Sequence, residues 1–318
     1  MINALKALRI GTRGSALALW QANRVRDAIQ AQGRACEIVI VKTTGDQFTG
    51  APLEQIGVQG VFTKELEEAL FADRADIAVH SMKDVPTEFS DVCRIVPLFR
   101  RDDPRDALIS RGGETLEKLR RGARIGTSSL RRASQLRAFR SDFEICEIRG
   151  NVDTRLRKLE AGECDAIVLA KAGLDRLGFT SRITEILGPD VVLSAVGQGV
   201  LCAEYFEPNG DLVRPHLEPL RDRETTLAVT AERALMQELQ GGCRVPLGAW
   251  ARFEGDKMHL DASVLSPDGS ECVRRSAARA CGSMVDAMAY GREIAREMID
   301  AGADRILKLM GRSVGQSR

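Results

Sequence analysis

The apolar positions change period along this chain, and the changes mark its elements. Leu8-Arg9-Ile10-Gly11 reads as a strand. A helix follows from about Ser15, a residue suited to capping, with Ala18, Ala22, Val25 and Ile29 on one face. Glu37 to Thr43 reads as a second strand, Thr63 to Ala72 as a helix with Leu66, Ala69 and Leu70 inward, and Asp76 to His80 as a buried third strand. This alternation predicts an α/β domain with largely parallel strands. The charged, proline-containing stretch Arg100-Arg101-Asp102-Asp103-Pro104-Arg105-Asp106 reads as a connector. The rhythm then restarts, with strand Arg124 to Gly126, a helix from Ser129, strand Phe143 to Ile148, a helix from Asn151 and strand Ala166 to Ala170. Gly197-Gln198-Gly199 marks a break at which the chain can return to the first domain.

From about Asp222 the pattern is different. A helix from Glu224 to Gln240 leads into strands near Gly248 to Phe253, Met258 to Leu265 and Glu271 to Ala278, with Pro267-Asp268-Gly269 as a turn. A last helix places Val285, Met288, Ala295, Met298 and Ile299 on one face. The expected division is residues 1–99 with 197–218 as a discontinuous α/β domain, 103–194 as a second α/β domain, and 222–318 as a small α+β domain. No internal sequence repeat or low-complexity segment is visible.

Composition narrows the function. The 318 residues are 44% apolar and 29% charged, with 46 basic against 45 acidic side chains, so net charge gives no reason to expect a nucleic-acid or membrane partner. Aromatic residues, at 4%, are too few for a base-stacking surface. No apolar run approaches the ~20 residues of a membrane helix. Met1 to Arg9 reads as too short and polar for a signal peptide, so the expected location is the cytoplasm. Eight cysteines include no Cys-x-x-Cys pair, and none of the three histidines has metal-ligand spacing with a cysteine, so free thiols and no metal site are expected.

Several short motifs carry candidate chemistry. Gly241-Gly242-Cys243-Arg244-Val245-Pro246 sets a thiol on a Gly-Gly loop beside a guanidinium, which favours thiolate; the other reading is a small residue in a turn. Gly11-Thr12-Arg13-Gly14-Ser15 joins a strand to a helix, where α/β folds bind ligands and free N–H groups attract anions. Ser15 as a plain cap and Arg13 as a surface charge is an equal alternative. In Gly126-Thr127-Ser128-Ser129-Leu130-Arg131-Arg132, hydroxyls precede cations in the first turn of a helix, a placement that opposes the helix dipole unless an anion binds. Arg149 ends a strand and Arg155 lies in the next helix; they converge on one acidic group, or Arg155 pairs with Asp153 or Glu160 on a solvated face. His80-Ser81-Met82-Lys83-Asp84-Val85-Pro86 closes the third strand, with Asp84 placed to stabilise a cation or move a proton, or else paired locally with Lys83. His80 reads as a satisfied core histidine. Together the motifs describe an arginine-lined cleft with one acid and a thiol, suited to a polycarboxylate substrate and a positively charged intermediate.

These residues resemble the porphobilinogen deaminase (hydroxymethylbilane synthase) family from about Arg9 to beyond Gly269. The resemblance is carried by Ile10-Gly11-Thr12-Arg13 with Ser15 and Leu17-Ala18, by Asp76 to Pro86, Gly126 to Arg132, Arg149-Gly150-Asn151, Ala195-Val196-Gly197-Gln198-Gly199, and Gly241-Gly242-Cys243. It implies two α/β domains of the type II periplasmic-binding-protein kind around a cleft, plus a small C-terminal α+β domain. It implies a dipyrromethane cofactor joined by a thioether to Cys243. Four porphobilinogen units are then added head to tail, each releasing ammonia, and hydrolysis frees hydroxymethylbilane. Asp84 matches the catalytic acid, contacting pyrrole nitrogens. Lys83, Asp84, Thr127, Ser129, Arg131, Arg132 and Arg149 match cofactor-binding positions, and Arg13, Ser15, Arg149 and Arg155 match substrate-binding positions. The small-molecule substrate is the expected partner, and the family suggests a monomer.

The chain departs from the family pattern in places. Gln55 and Gln59 stand in a loop where relatives often carry lysines. Lys171 stands where a small or apolar residue is usual, either as a further carboxylate contact or, the favoured reading, facing solvent. Arg244 follows the key cysteine where an uncharged residue is common. Two other functions compete for the same residues. A solute-binding module would explain the arginines but leave Cys243 and the third domain without a task. A cysteine acyl-transferase would need a histidine base that the sequence does not offer.

Overall fold

A computed structural model describes residues 6–42, 63–86, 90–239 and 245–313, with side chains to residue 308. In chain order its strands are β1 (Leu8–Thr12), β2 (Cys36–Ile40), β3 (Ile77–Ser81), β4 (Cys93–Leu98), β5 (Asp106–Ser110), β6 (Arg124–Gly126), β7 (Glu144–Cys146), β8 (Ala166–Ala170), β9 (Glu185–Ile186), β10 (Leu201–Phe206), β11 (Leu247–Glu254), β12 (Lys257–Leu265) and β13 (Cys272–Ala280). The helices are α1 (Ala16–Gln30), α2 (Lys64–Phe71), α3 (Leu130–Phe139), α4 (Val152–Glu160), α5 (Lys171–Arg176), α6 (Gly210–Leu217), α7 (Arg223–Glu238), α8 (Met284–Asp300) and α9 (Ala303–Ser313). Contacts divide the chain into one unit of residues 1–101 and 200–225 and a second of 102–199 and 226–318.

The first unit holds a five-stranded sheet in the order β2-β1-β3-β10-β4. β1 runs parallel to β2 and β3, and β10 runs antiparallel to both β3 and β4. The core on one face is Leu8, Ile10, Ala22, Val25, Ile29, Ile77, Val79 and their neighbours. The face that α2 covers is Val41, Leu66, Ala69, Leu70, Ala75 and Ala78. The period reading of α1 and α2 holds for Ala22, Val25, Ile29, Leu66, Ala69 and Leu70, which are all buried, whereas Ala18 is only half-buried.

The second unit contains two sheets. One has the order β7-β6-β8-β5-β9, with β6 parallel to β7 and β8 and with β5 antiparallel to β8 and β9. This repeats the order and directions of the first sheet: three parallel strands, one reversed strand, then one more. The two α/β sheets thus share one topology, as the resemblance implies. The other sheet is the antiparallel meander β11-β12-β13, packed with α7, α8 and α9 around a separate core that includes Leu235, Met258, Leu260, Tyr290 and Ile294.

Two expectations are corrected here. Asp106 is not part of a loose connector: it begins β5 and is fully buried. In α8 the inward face is Ala287, Tyr290, Gly291, Ile294, Ala295 and Met298, whereas Val285 and Met288 face out. The reason is Gly291. Helix α8 approaches α7 so closely there that a Cβ would stand 2.1 Å from the Ala231 carbonyl oxygen, so the seam is centred on the smallest residue rather than on the bulky ones. Gly291→Ala is expected to destabilise the protein by about 1–3 kcal/mol through overpacking, read as a lower urea midpoint; an unchanged midpoint would contradict this packing.

Candidate active site

In a parallel sheet, loops that leave the carboxyl ends of neighbouring strands come together at one edge. In the first unit these are the loop after β1, with Arg13 and Ser15, and the turn after β3, with Lys83 and Asp84. The Gln21 amide donates to the Ser81 hydroxyl at 2.8 Å, which ties α1 to the end of β3. Ser15 caps α1 by accepting from the Ala18 N–H at 3.3 Å, so its hydroxyl has a structural task. Asp84 closes a single 3-10 turn that buried Met82 anchors through its N–H to the Val200 carbonyl, 2.9 Å. The carboxylate itself is exposed. His80, one residue into the strand, is buried with Nε2 3.0 Å from Glu204 Oε2, as expected of a satisfied core histidine.

In the second unit the same edge gathers the loops after β6, β7 and β8. The Ser128 hydroxyl donates to the Ile148 carbonyl at 2.7 Å, binding the loop of Thr127 and Ser129 to that of Arg149. Ser129 caps α3 by accepting from the Arg132 N–H, and its own N–H donates to Thr127 Oγ1. Thr127 is buried. Arg149 leans on Glu147, with Nε donating to Oε1 at 2.6 Å. Arg155 reaches back from α4 to the Gly150 carbonyl at 2.8 Å, so among these contacts the two arginines have different partners and share no acidic group. Lys171 does not face solvent: its ammonium pairs with Asp175, one turn along α5, with Asp103 4.0 Å away. Local pairing along a helix outcompeted hydration there.

Arg131 and Arg132 depart most from the sequence picture. Both are buried, and both guanidinium groups meet Asp106, at 2.8 and 2.7 Å. Gln198 adds a third hydrogen bond to the same carboxylate at 2.8 Å. Burial alone would raise the Asp106 pKa, but the two guanidiniums outweigh it and hold the carboxyl well below its usual range. Burial likewise lowers Arg131, against the pull of Asp106. Asp106 thus supplies the protein's own anion to the first turn of α3. Sequence reasoning missed it because the partners lie 25 and 26 residues apart; the only local signal is a lone acid opening the apolar run Ala107-Leu108-Ile109.

Both guanidiniums share the Asp106 carboxylate, and Arg132 Nε is buried without a hydrogen-bond partner among the described residues. Such a site favours a further anion, a carboxylate above all. The segment of Gln198 is fixed in turn by the buried Glu232 of α7, which accepts from the Gly197 N–H at 2.7 Å and the Ala251 N–H at 2.8 Å. Cys243, Arg244, Gln55 and Gln59 lie outside the described residues.

Comparisons with known proteins bear on what that anion is. Residues 8–213 match the family model described as "Porphobilinogen deaminase, dipyromethane cofactor binding domain", and residues 226–300 match "Porphobilinogen deaminase, C-terminal domain". The chain belongs to the porphobilinogen deaminase family. A porphobilinogen deaminase of Syntrophobacter fumaroxidans is 46% identical over 305 residues, covering 95% of this chain and 97% of the relative. One from Trichlorobacter lovleyi is 47% identical over 307 residues, covering 96% and 97%. Among solved structures, the VFT2 domain of BvgS from Bordetella pertussis is 12% identical with a TM-score of 0.42, covering 72% of this chain and 92% of that one. Porphobilinogen deaminases are transferases that build hydroxymethylbilane from porphobilinogen, and this chain carries that activity and the cofactor-binding domain. Pyrrole acetate and propionate groups are carboxylates, so the residues around Arg131 and Arg132 fit a dipyrromethane cofactor. No helix among the described residues is long and apolar enough to cross a membrane.

Proposed function

We propose that the chain adds four porphobilinogen units head to tail to a dipyrromethane primer held by a thioether to Cys243, releasing ammonia at each addition and then hydrolysing the product free. The observation that carries this reading is the pair of buried guanidiniums on the one Asp106 carboxylate, with Arg132 Nε left without a hydrogen-bond partner among the described residues. The dipyrromethane group supplies the pyrrole carbon to which new units are joined. Lys83, Thr127, Ser129, Arg131, Arg132 and Arg149 hold its carboxylates, and Arg13, Ser15, Arg149 and Arg155 take those of the incoming substrate. Loss of ammonia leaves the substrate's methylene carbon electron-poor, and the exposed Asp84 carboxylate stabilises that charge and assists proton transfer.

Four of the described thiols are disfavoured as the attachment point. Wherever a shift is resolved among them it is upward: burial raises Cys36 and Cys272, and pushes Cys93 and Cys164 up to about 12. A thiol held protonated is a poor nucleophile. The remaining parts of the proposal are a monomer, a cytoplasmic location, and a division into residues 1–99 with 197–218, 103–194 and 222–318.

The test is the intact mass of the denatured protein before and after porphobilinogen. An adduct of two linked pyrroles on the Cys243 peptide, growing in one-pyrrole steps, is the expected result. A bare chain that neither porphobilinogen nor preformed hydroxymethylbilane alters would overturn the reading in favour of a reversible solute-binding module. Cys243→Ser is expected to fold, to carry no thioether-linked adduct and to lose turnover; full activity would refute this attachment site.

A further inference from the structure

Two thiols with no part in the reaction meet in the second α/β sheet. Cys146 ends β7 and Cys164 lies just before β8, yet their sulfurs are 2.9 Å apart. Strand β6 runs between β7 and β8, so a side chain on it would separate them. The residue of β6 in register with Cys146 is Gly126, and a Cβ there would stand 2.7 Å from Cys164 Sγ. The missing side chain is what lets the thiols touch. Their separation exceeds a disulfide bond of ~2.05 Å by only about 0.9 Å. Cys146 is half-buried and Cys164 buried, so a reagent from solvent reaches Cys146 first.

We propose that Cys146 and Cys164 are a redox modification site that takes a low-molecular-weight disulfide as oxidant and closes into an intramolecular disulfide. Cys146 loses its proton and attacks one sulfur of R–S–S–R; that bond breaks and R–SH departs with the proton. Cys164 then attacks Cys146 Sγ, and a second R–SH leaves. Two protein thiols are oxidised by two electrons and one small disulfide is reduced to two thiols. The link closes a loop over residues 147–163, which contain Arg149, α4 and Arg155. Oxidation therefore staples both ends of the segment that presents those two arginines. Burial, with the neighbouring Cys146 thiol, pushes Cys164 up to about 12, so the second attack, which needs its thiolate, is the slow step and quickens as pH rises.

The test incubates the native full-length protein with glutathione disulfide, alkylates the remaining thiols and maps the peptides. The expected result is a cross-linked peptide joining Cys146 and Cys164, two hydrogen masses lighter and reversed by dithiothreitol, with slowed hydrogen exchange across residues 147–163. Cys164→Ser should stop at a mixed disulfide on Cys146. Recovery of both wild-type cysteines as alkylated thiols, or of glutathione on Cys146 with no cross-link, would overturn the proposal. Both readouts come from the wild-type protein and need no catalytic turnover.

Discussion

Asp106→Asn is expected to cost about 3–5 kcal/mol of stability, the size of the penalty for removing one partner of a buried ion pair. The side chain keeps its shape, but two buried guanidiniums then lose the carboxylate charge with which both are paired. The loss is measured as a lower denaturant midpoint at neutral pH. Its pH dependence has a definite sign. The Asp106 carboxyl is held below its usual range, so its contribution is fully present above the unfolded value of about 3.9 and fades as pH falls from there toward the folded value. The gap between wild type and Asp106→Asn should narrow as pH drops below about 4. A gap as wide at about pH 3 as at neutral pH would show that the carboxylate's charge is not what holds the cluster. The variant should also load less cofactor, because Arg131 and Arg132 lose the group that orients them.

Asp84→Ala should act in the opposite way, leaving stability almost untouched while removing turnover. The carboxylate is exposed, and the turn that presents it is held by Met82 rather than by Asp84. If it stabilises the charge that develops as ammonia leaves, kcat falls by about 100- to 1,000-fold, the usual result of deleting one preorganised electrostatic partner. Cofactor loading and the unfolding midpoint should match wild type. Near-normal kcat would remove Asp84 from the mechanism. A parallel loss of midpoint and loading would make it a structural residue instead.

What the sequence made legible was local. Strands β1, β3, β6 and β8, the caps Ser15 and Ser129, and the meander of β11, β12 and β13 all follow from patterns within a few residues. What it hid was non-local. Strand β4 contains Pro97, which argues against a strand until the sheet order shows β4 at an edge, where a missing donor is tolerated. Strand β5 begins inside a run of charges, and its first residue makes sense only beside Arg131 and Arg132. The apolar period of α8 runs through Val285 and Met288, yet closeness of approach, which Gly291 decides, sets the buried face instead. At the site, the loops at strand ends were visible as motifs, whereas the balance of charge among their side chains was not.

The reversed strand of the first sheet has a consequence for how the chain is built. Sheet β7-β6-β8-β5-β9 draws all its strands from the continuous stretch 106–186, whereas the first sheet lacks a member until β10 is available at residue 201. As the polypeptide leaves the ribosome, the middle of the protein has every strand it needs before the beginning does. The N-terminal strands must wait through more than a hundred residues of synthesis, from the end of β4 at residue 98 to the start of β10, with their β3 and β4 edges unpaired. The segment made first is thus completed late, and its exposed edges are the part of the nascent chain most in need of protection from aggregation.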